Sequence, residues 1–219
     1  MSLVLALTDG KTLGVIADTR AFSTEDGAIK PLAEKLAKIS GEDWEAIVAI
    51  TGEAEINGHK IVEHLRMNST LLKEGKTASL KEYLERQWVE DVKNYPWNSD
   101  KEREDYETSS RISLLIATSR SNVTTVDGDY PTLNVREHQP LKGSIALGDP
   151  EPILHLIPQN EIPLTEWPNK IISIFSKASQ LRETIAPPLD IALWKDEGLL
   201  NISRLELESI EPFFETHLQ

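Results

Sequence analysis

The sequence predicts an α+β fold of four layers, an αββα sandwich with two antiparallel sheets between helix layers. Three features carry that expectation. The opening stretch MSLVLALTDGKTLGVIADTR holds two apolar runs around an Asp-Gly turn; two helical stretches follow before a second group of strands; a further helical pair precedes the closing strands. Strands and helices grouped in blocks, each sheet too apolar to stand alone, stack as layers rather than alternate around a parallel sheet. At 219 residues the chain can bury a real core and is read as one domain spanning 1–219.

Leu3 to Leu7 and Leu13 to Ala17 are strands joined through Asp9-Gly10, a strong short-range hairpin signal. Asp18-Thr19-Arg20 leaves the second strand, and a polar loop, Ser23 to Gly27, leads into Ile29 to Ile39 and a strand from Trp44 to Thr51, with Gly41 in the turn between. From Glu53 the apolar period becomes helical: Ile56, Ile61, Val62, Leu65 and Leu72 predict one helix of about five turns. Ser79 with Glu82 reads as a capping box opening a second helix, which Pro96 ends near Tyr95. Asn98 to Ser110 is charge-rich without apolar period and reads as a solvated loop or helix extension. Short strands follow at Ile112 to Thr118, Val123 to Val126 and Leu133 to Arg136, with a turn at Asp127 to Pro131. Helices are expected at Glu151 to Ile157 and from Trp167 or Asn169 to Glu183, then strands at Leu189 to Leu193 and Leu199 to Ile202 around Asp196-Glu197-Gly198, and a short closing element from Glu206 to Phe214.

The net charge of -13 disfavours a phosphate-tracking surface, so nucleic acid is not an expected partner. With no cysteine, disulfides, thiolate metal sites and a cysteine nucleophile fall away. His59 and His64, five apart, do not share a helix face as a zinc pair would, and no metal or cofactor is expected. No apolar run approaches the length of a membrane span, and the start carries no basic flank, so the expectation is an unexported, cytoplasmic protein without membrane contact.

A chain that opens directly on an apolar strand raises one chemical arrangement. Removal of Met1 would expose Ser2, whose hydroxyl is the nucleophile and whose α-amine is the base. An α-amine with an ordinary pKa near 8 can accept the hydroxyl proton if held close to it, and a nearby ammonium would keep that amine neutral, so a lysine is expected beside it.

The runs GVIADTRAF, KLAKIS (Lys35 to Ser40) and AIVAITGEAE (Ala46 to Glu55) resemble the proteasome β-type subunits of the N-terminal nucleophile hydrolases. The resemblance implies Ser2 as nucleophile, Asp18 as the acid orienting the lysine, Lys35 as the catalytic lysine and the backbone N–H of Ala49 as oxyanion donor. More weakly, QLRETIAPPLD (Gln180 to Asp190) resembles the helix end carrying a second acid, placed at Glu183, while LKGSIALGDP (Leu141 to Pro150) resembles the segment of an assisting serine. This chain departs from that pattern. Serine stands for threonine at the nucleophile, Ala49 for a glycine, Leu147 for the assisting serine with Ser144 three residues early, and Ile185 or Ala186 for the serine after the second acid. The implied activity is cleavage of peptide or amide bonds, with self-assembly into a ring-like homo-oligomer and an unfoldase or polypeptide as partner. Two other readings stay open: a non-catalytic ring or scaffold protein that kept the fold, and an amidohydrolase acting on a small molecule.

Overall fold

The computed structural model describes residues 2–22, 29–30, 35–52, 55–56, 59–73, 76–148, 150–195, 198–200 and 202–217. The chain opens with β1 (Leu3–Thr8) and β2 (Leu13–Asp18), which pair antiparallel with Val4 opposite Ala17. Gly10, with φ of 82°, takes the left-handed position of the turn, and the Asp9 carboxylate accepts from the N–H groups of Lys11 and Thr12 at 2.8 and 2.6 Å. A small hairpin of β3 (Ala21–Phe22) and β4 (Ile29–Lys30) follows, then β5 (Leu36–Ser40) and β6 (Glu45–Gly52). The loop expected over Ser23 to Gly27 lies outside the described residues.

The single five-turn helix expected from Glu53 is replaced by shorter pieces. A second small hairpin, β7 (Glu55–Ile56) with β8 (His59–Lys60), comes first; α1 (Ile61–Met67) follows, and a 3₁₀ turn over Ser69–Leu72 closes the segment. The sequence holds Asn-Gly at 57–58, a dipeptide that two-residue hairpins favour and a stronger signal than the apolar period around it. α2 (Thr77–Asn94) starts two residues before Ser79, so no capping box opens it, and it ends at Tyr95 ahead of Pro96 as expected.

The charge-rich segment is α3 (Asp100–Ser109). Its start is fixed by Ser99, whose hydroxyl accepts from the Glu102 N–H at 3.1 Å, while the Glu102 carboxylate accepts from the Asn98 N–H at 2.9 Å. One apolar anchor suffices for it. The Tyr106 hydroxyl accepts from Trp88 Nε1 at 3.0 Å, and its ring stacks 5.1 Å from that of Trp97.

β9 (Arg111–Ala117), β10 (Val123–Asp129), β11 (Asn134–His138) and β12 (Ile145–Gly148) follow. The expected helix at 151–157 is a 3₁₀ turn, Glu151–Leu156; α4 (Trp167–Leu181) is the long apolar helix. β13 (Leu189–Lys195), β14 (Gly198–Leu199), β15 (Ser203–Leu205) and α5 (Ile210–His217) complete the chain.

The strands form two main sheets, one ordered β12-β1-β2-β13-β14 with β15 also on β13, the other ordered β11-β10-β9-β6-β5. Alternation along each strand sorts side chains into three apolar seams. Ala46, Val48 and Ile50 of β6 face α1 and α2, joined by Leu84, Trp88 and Val92. Leu3, Leu5 and Leu7 of β1 face α4 and α5, against Trp167, Phe175 and Phe214. Between the sheets lie Val4, Ala6, Ala17, Ile47, Ala49, Ala117 and Ala192. The result is the αββα sandwich that the order of elements predicts. Gly14 sits where any side chain would collide with Trp167: a Cβ there would stand 2.5 Å from the indole ring.

Candidate active site

β1 and β2 run side by side, and Asp18, the last residue of β2, is wholly buried. Its carboxylate joins two elements. Oδ1 accepts from the Leu3 N–H at 2.7 Å, and Oδ2 meets Lys35 Nζ at 2.5 Å. Lys35 stands immediately before β5 of the other sheet, and only 8% of its side chain is exposed. The sequence-predicted acid and lysine are therefore in contact, and the acid is bonded to the residue next to Ser2.

Burial dominates the electrostatics of this pair. Desolvation raises the Asp18 carboxyl above its ordinary range, opposed by the Lys35 charge and by the Leu3 and Arg20 N–H groups. Desolvation likewise lowers the Lys35 ammonium below its ordinary range, with the Asp18 charge pulling it back. A lysine so placed releases its proton more readily than one in water.

Ser2 is itself buried, at 7% exposure, and the register of β1 continues to place it opposite Thr19. Thr19 is fully buried, and its hydroxyl donates to the Pro188 carbonyl at 2.8 Å. On the other side, Leu3 pairs with Gly148 of β12, whose φ is 98°. A Cβ built on Gly148 would lie 1.9 Å from the Ser2 carbonyl oxygen and 3.3 Å from Cγ2 of the buried Thr51. Gly148 and Thr51 are thus neighbours of Ser2; the sequence places Thr51 at the end of a strand and assigns neither residue a part in the site. The available signal was a glycine closing a strand directly before Asp149-Pro150.

Ala49 lies in the interior of β6, fully buried, with Leu36 on one flank and Leu115 on the other. The Ile50 N–H donates across to the Lys35 carbonyl at 2.8 Å. Alternation then turns the N–H of Ala49 the other way, into the ladder with Leu115. In this register the Ala49 N–H faces Leu115 of β9. Glu183 follows α4 with its side chain exposed, and it is the Glu183 carbonyl, accepting from Arg20 Nη1 at 3.1 Å, that ties it to the end of β2.

Leu147 pairs with Val4 and packs against the inter-sheet seam, so apolar contact occupies the position of the assisting serine. Ser144 does not replace it. Ile145 opposes Ala6, which carries Ser144 toward the far end of β1, roughly 17 Å from Ser2 at the rise of an extended strand. A cleft lined by Leu72, Leu80, Ile116, Thr118, Thr124 and Glu137 lies under α2 on the outer face of the second sheet and belongs to a different part of the molecule. Among the described residues, no group of three His, Cys, Asp or Glu side chains could hold a metal ion, and no helix is long and apolar enough to cross a membrane.

Two antiparallel sheets between helix layers make an αββα sandwich, with Asp18 and Lys35 meeting beside its first strand. No protein-family model matches the chain, and no curated protein does. Solved structures of Anbu share the fold. The Anbu complex from Pseudomonas aeruginosa, described as a helical assembly, matches with a TM-score of 0.64 at 14% identity, over 99% of this chain and 93% of that one. An Anbu (Gly-1) mutant from Hyphomicrobium sp. strain MC1 matches at 0.59 and 14% identity, over 100% and 95%. Anbu (ancestral beta-subunit) from Yersinia bercovieri matches at 0.58 and 15% identity, over 99% and 94%. At such identities the likeness is one of fold.

Proposed function

We propose that the chain is an N-terminal nucleophile hydrolase of peptide or amide bonds, with Ser2 as nucleophile once Met1 is removed. The observation that carries the reading is the Asp18 carboxylate, bonded at once to Lys35 Nζ and to the Leu3 N–H beside Ser2. In this reaction the Ser2 α-amine takes the hydroxyl proton as Oγ bonds to the substrate carbonyl carbon, leaving an oxyanion. The resulting ammonium returns the proton to the leaving nitrogen as the C–N bond breaks. Water then attacks the acyl ester, gives its proton to the amine, and releases the acid and Ser2. Lys35, oriented by Asp18, holds the amine neutral. A lysine charge beside the amine disfavours a second positive charge there. Glu183 is the second acid in this reading, and the oxyanion donor that the resemblance implies is the backbone N–H of Ala49.

A scaffold reading is favoured by two specific observations: Leu147 in place of an assisting hydroxyl, and the Ala49 N–H committed to its ladder. Both thin the machinery on which the first reading depends. Likeness in fold to Anbu, solved in one case as a helical assembly, supports self-association of this chain; the same reading takes the assembly as a ring-like homo-oligomer in the cytoplasm, with a polypeptide substrate or an unfoldase as partner.

Intact mass and an electrophilic peptide probe separate the readings. The hydrolase predicts loss of Met1 and a probe adduct that Ser2→Ala abolishes. Retained Met1 on natively expressed protein sinks it. A free Ser2 that never labels selects the scaffold, and turnover of small amides without peptide cleavage selects the small-molecule amidohydrolase. Light scattering after size exclusion reads the assembly directly, and a monomer at micromolar concentration would overturn that part.

A further inference from the structure

We infer that Gly148 is a positioning residue for Ser2, an inference that rests on the nucleophile reading above. The Ser2 carbonyl is seated directly against the Gly148 Cα: a Cβ would meet that oxygen at 1.9 Å and its carbon at 2.9 Å, well inside contact distance. Thr51 closes the same spot from the second sheet, its Cγ2 3.3 Å from that position. The backbone of Gly148 also has φ of 98°, in the left-handed region that side chains resist. Three elements thus converge where there is no room for a side chain: β12, the residue ahead of β1, and β6.

The consequence is geometric. The orientation of the Ser2 carbonyl fixes rotation about the Cα–C bond, and with it the direction of the amine and hydroxyl on the same Cα. A methyl on residue 148 would force the carbonyl aside by more than 1 Å and swing both groups away from the Asp18–Lys35 pair. Displacement on that scale costs about 100-fold in rate where reacting groups must be aligned. Leu147 supplies no hydroxyl to compensate, so backbone seating carries more of the alignment here than a side-chain network would.

The test compares Gly148→Ala with Gly143→Ala. Gly143 leads into the same strand, also has positive φ (82°), and its Cβ would meet the Gln159 carbonyl oxygen at 2.3 Å without touching Ser2. Each variant, with Met1 removal verified by mass, is assayed for unfolding by urea, for probe labelling of Ser2 and for the pH dependence of α-amine acylation. The expected result is a loss of about 100-fold in labelling for Gly148→Ala at unchanged probe affinity, with a displaced amine titration. Gly143→Ala should retain the wild-type labelling rate and titration even if equally destabilised. Equal losses in both variants, or wild-type labelling and titration in folded Gly148→Ala, would overturn the assignment. If wild-type Ser2 does not label, the hydrolase reading fails by itself. The amine titration then still decides the seating, since a displaced titration in Gly148→Ala alone upholds it and an unchanged one rejects it.

Discussion

Replacing Lys35 by Met removes a cation from a site where its partner has nowhere to go. Asp18 is fully buried, and in Lys35→Met it keeps the Leu3 N–H at 2.7 Å but loses the ammonium at 2.5 Å. Breaking one side of a buried pair costs about 3–5 kcal/mol at pH where the survivor would be charged. The sign follows from the direction of the shift. Burial already holds the Asp18 carboxyl above 3.8, and without Lys35 it rises further. Between 3.8 and that raised value the unfolded chain has lost the proton while the native protein keeps it. Stability then falls as pH rises, by about 1.4 kcal/mol per unit, until the native carboxyl ionises. The loss is therefore small or reversed near pH 4 and reaches its full size by neutral pH. Urea unfolding followed by tryptophan fluorescence from pH 4 to 8 measures it. Asp18→Asn added to Lys35→Met should restore much of the neutral-pH loss by removing the stranded charge. An equal loss at both ends of the range, or one below about 1 kcal/mol at pH 8, would refute the buried-pair account.

Two further substitutions probe the scaffold. Gly14→Ala should destabilise by about 1–3 kcal/mol through overpacking against the Trp167 ring, read as a lower urea midpoint at unchanged slope; an unchanged midpoint would mean that α4 shifts freely. Ser99→Ala removes the hydroxyl that accepts from Glu102 and should lose about 1 kcal/mol. Hydrogen exchange would accelerate along α3 while the amides of β1 and β2 stay protected, and uniform acceleration would contradict a local cap.

The layers are legible because β1, β2, β6 and β9 are short, largely apolar runs bounded by turns, buried on both faces, and apolar periodicity marks α2 and α4. What escaped the reading was local chemistry outweighing periodicity. Asn57-Gly58 interrupts a helical pattern whose apolar residues still face the core from Ile61 onward. The capping serine of α3 hid in a charged run, since its single anchor, Tyr106, gives no period to detect. Within the site, Asp18 and Lys35 are named by the resemblance of GVIADTRAF and KLAKIS to the proteasome β-type pattern, and the structure brings the two side chains into contact. The direction of the Ala49 N–H could not be read that way, because strand register decides it and one residue's slip reverses it. Gly148 was opaque for a similar reason: its importance lies in which carbonyl packs on it, a relation between residues 146 positions apart in the chain.

The buried residues of the seam between the sheets are largely alanine and valine, with Trp194 packed beside them, whereas the outer seams hold Trp88, Trp167, Phe175 and Phe214. Small residues let the two sheets approach closely and leave little slack for either to slide. Asp18 belongs to one sheet and Lys35 leads into the other, so their contact rivets the two plates together at one end of that thin seam. A motion that separates the plates there would disassemble the proposed chemistry and the sandwich at the same point, which couples any opening of the site to the unfolding of the molecule.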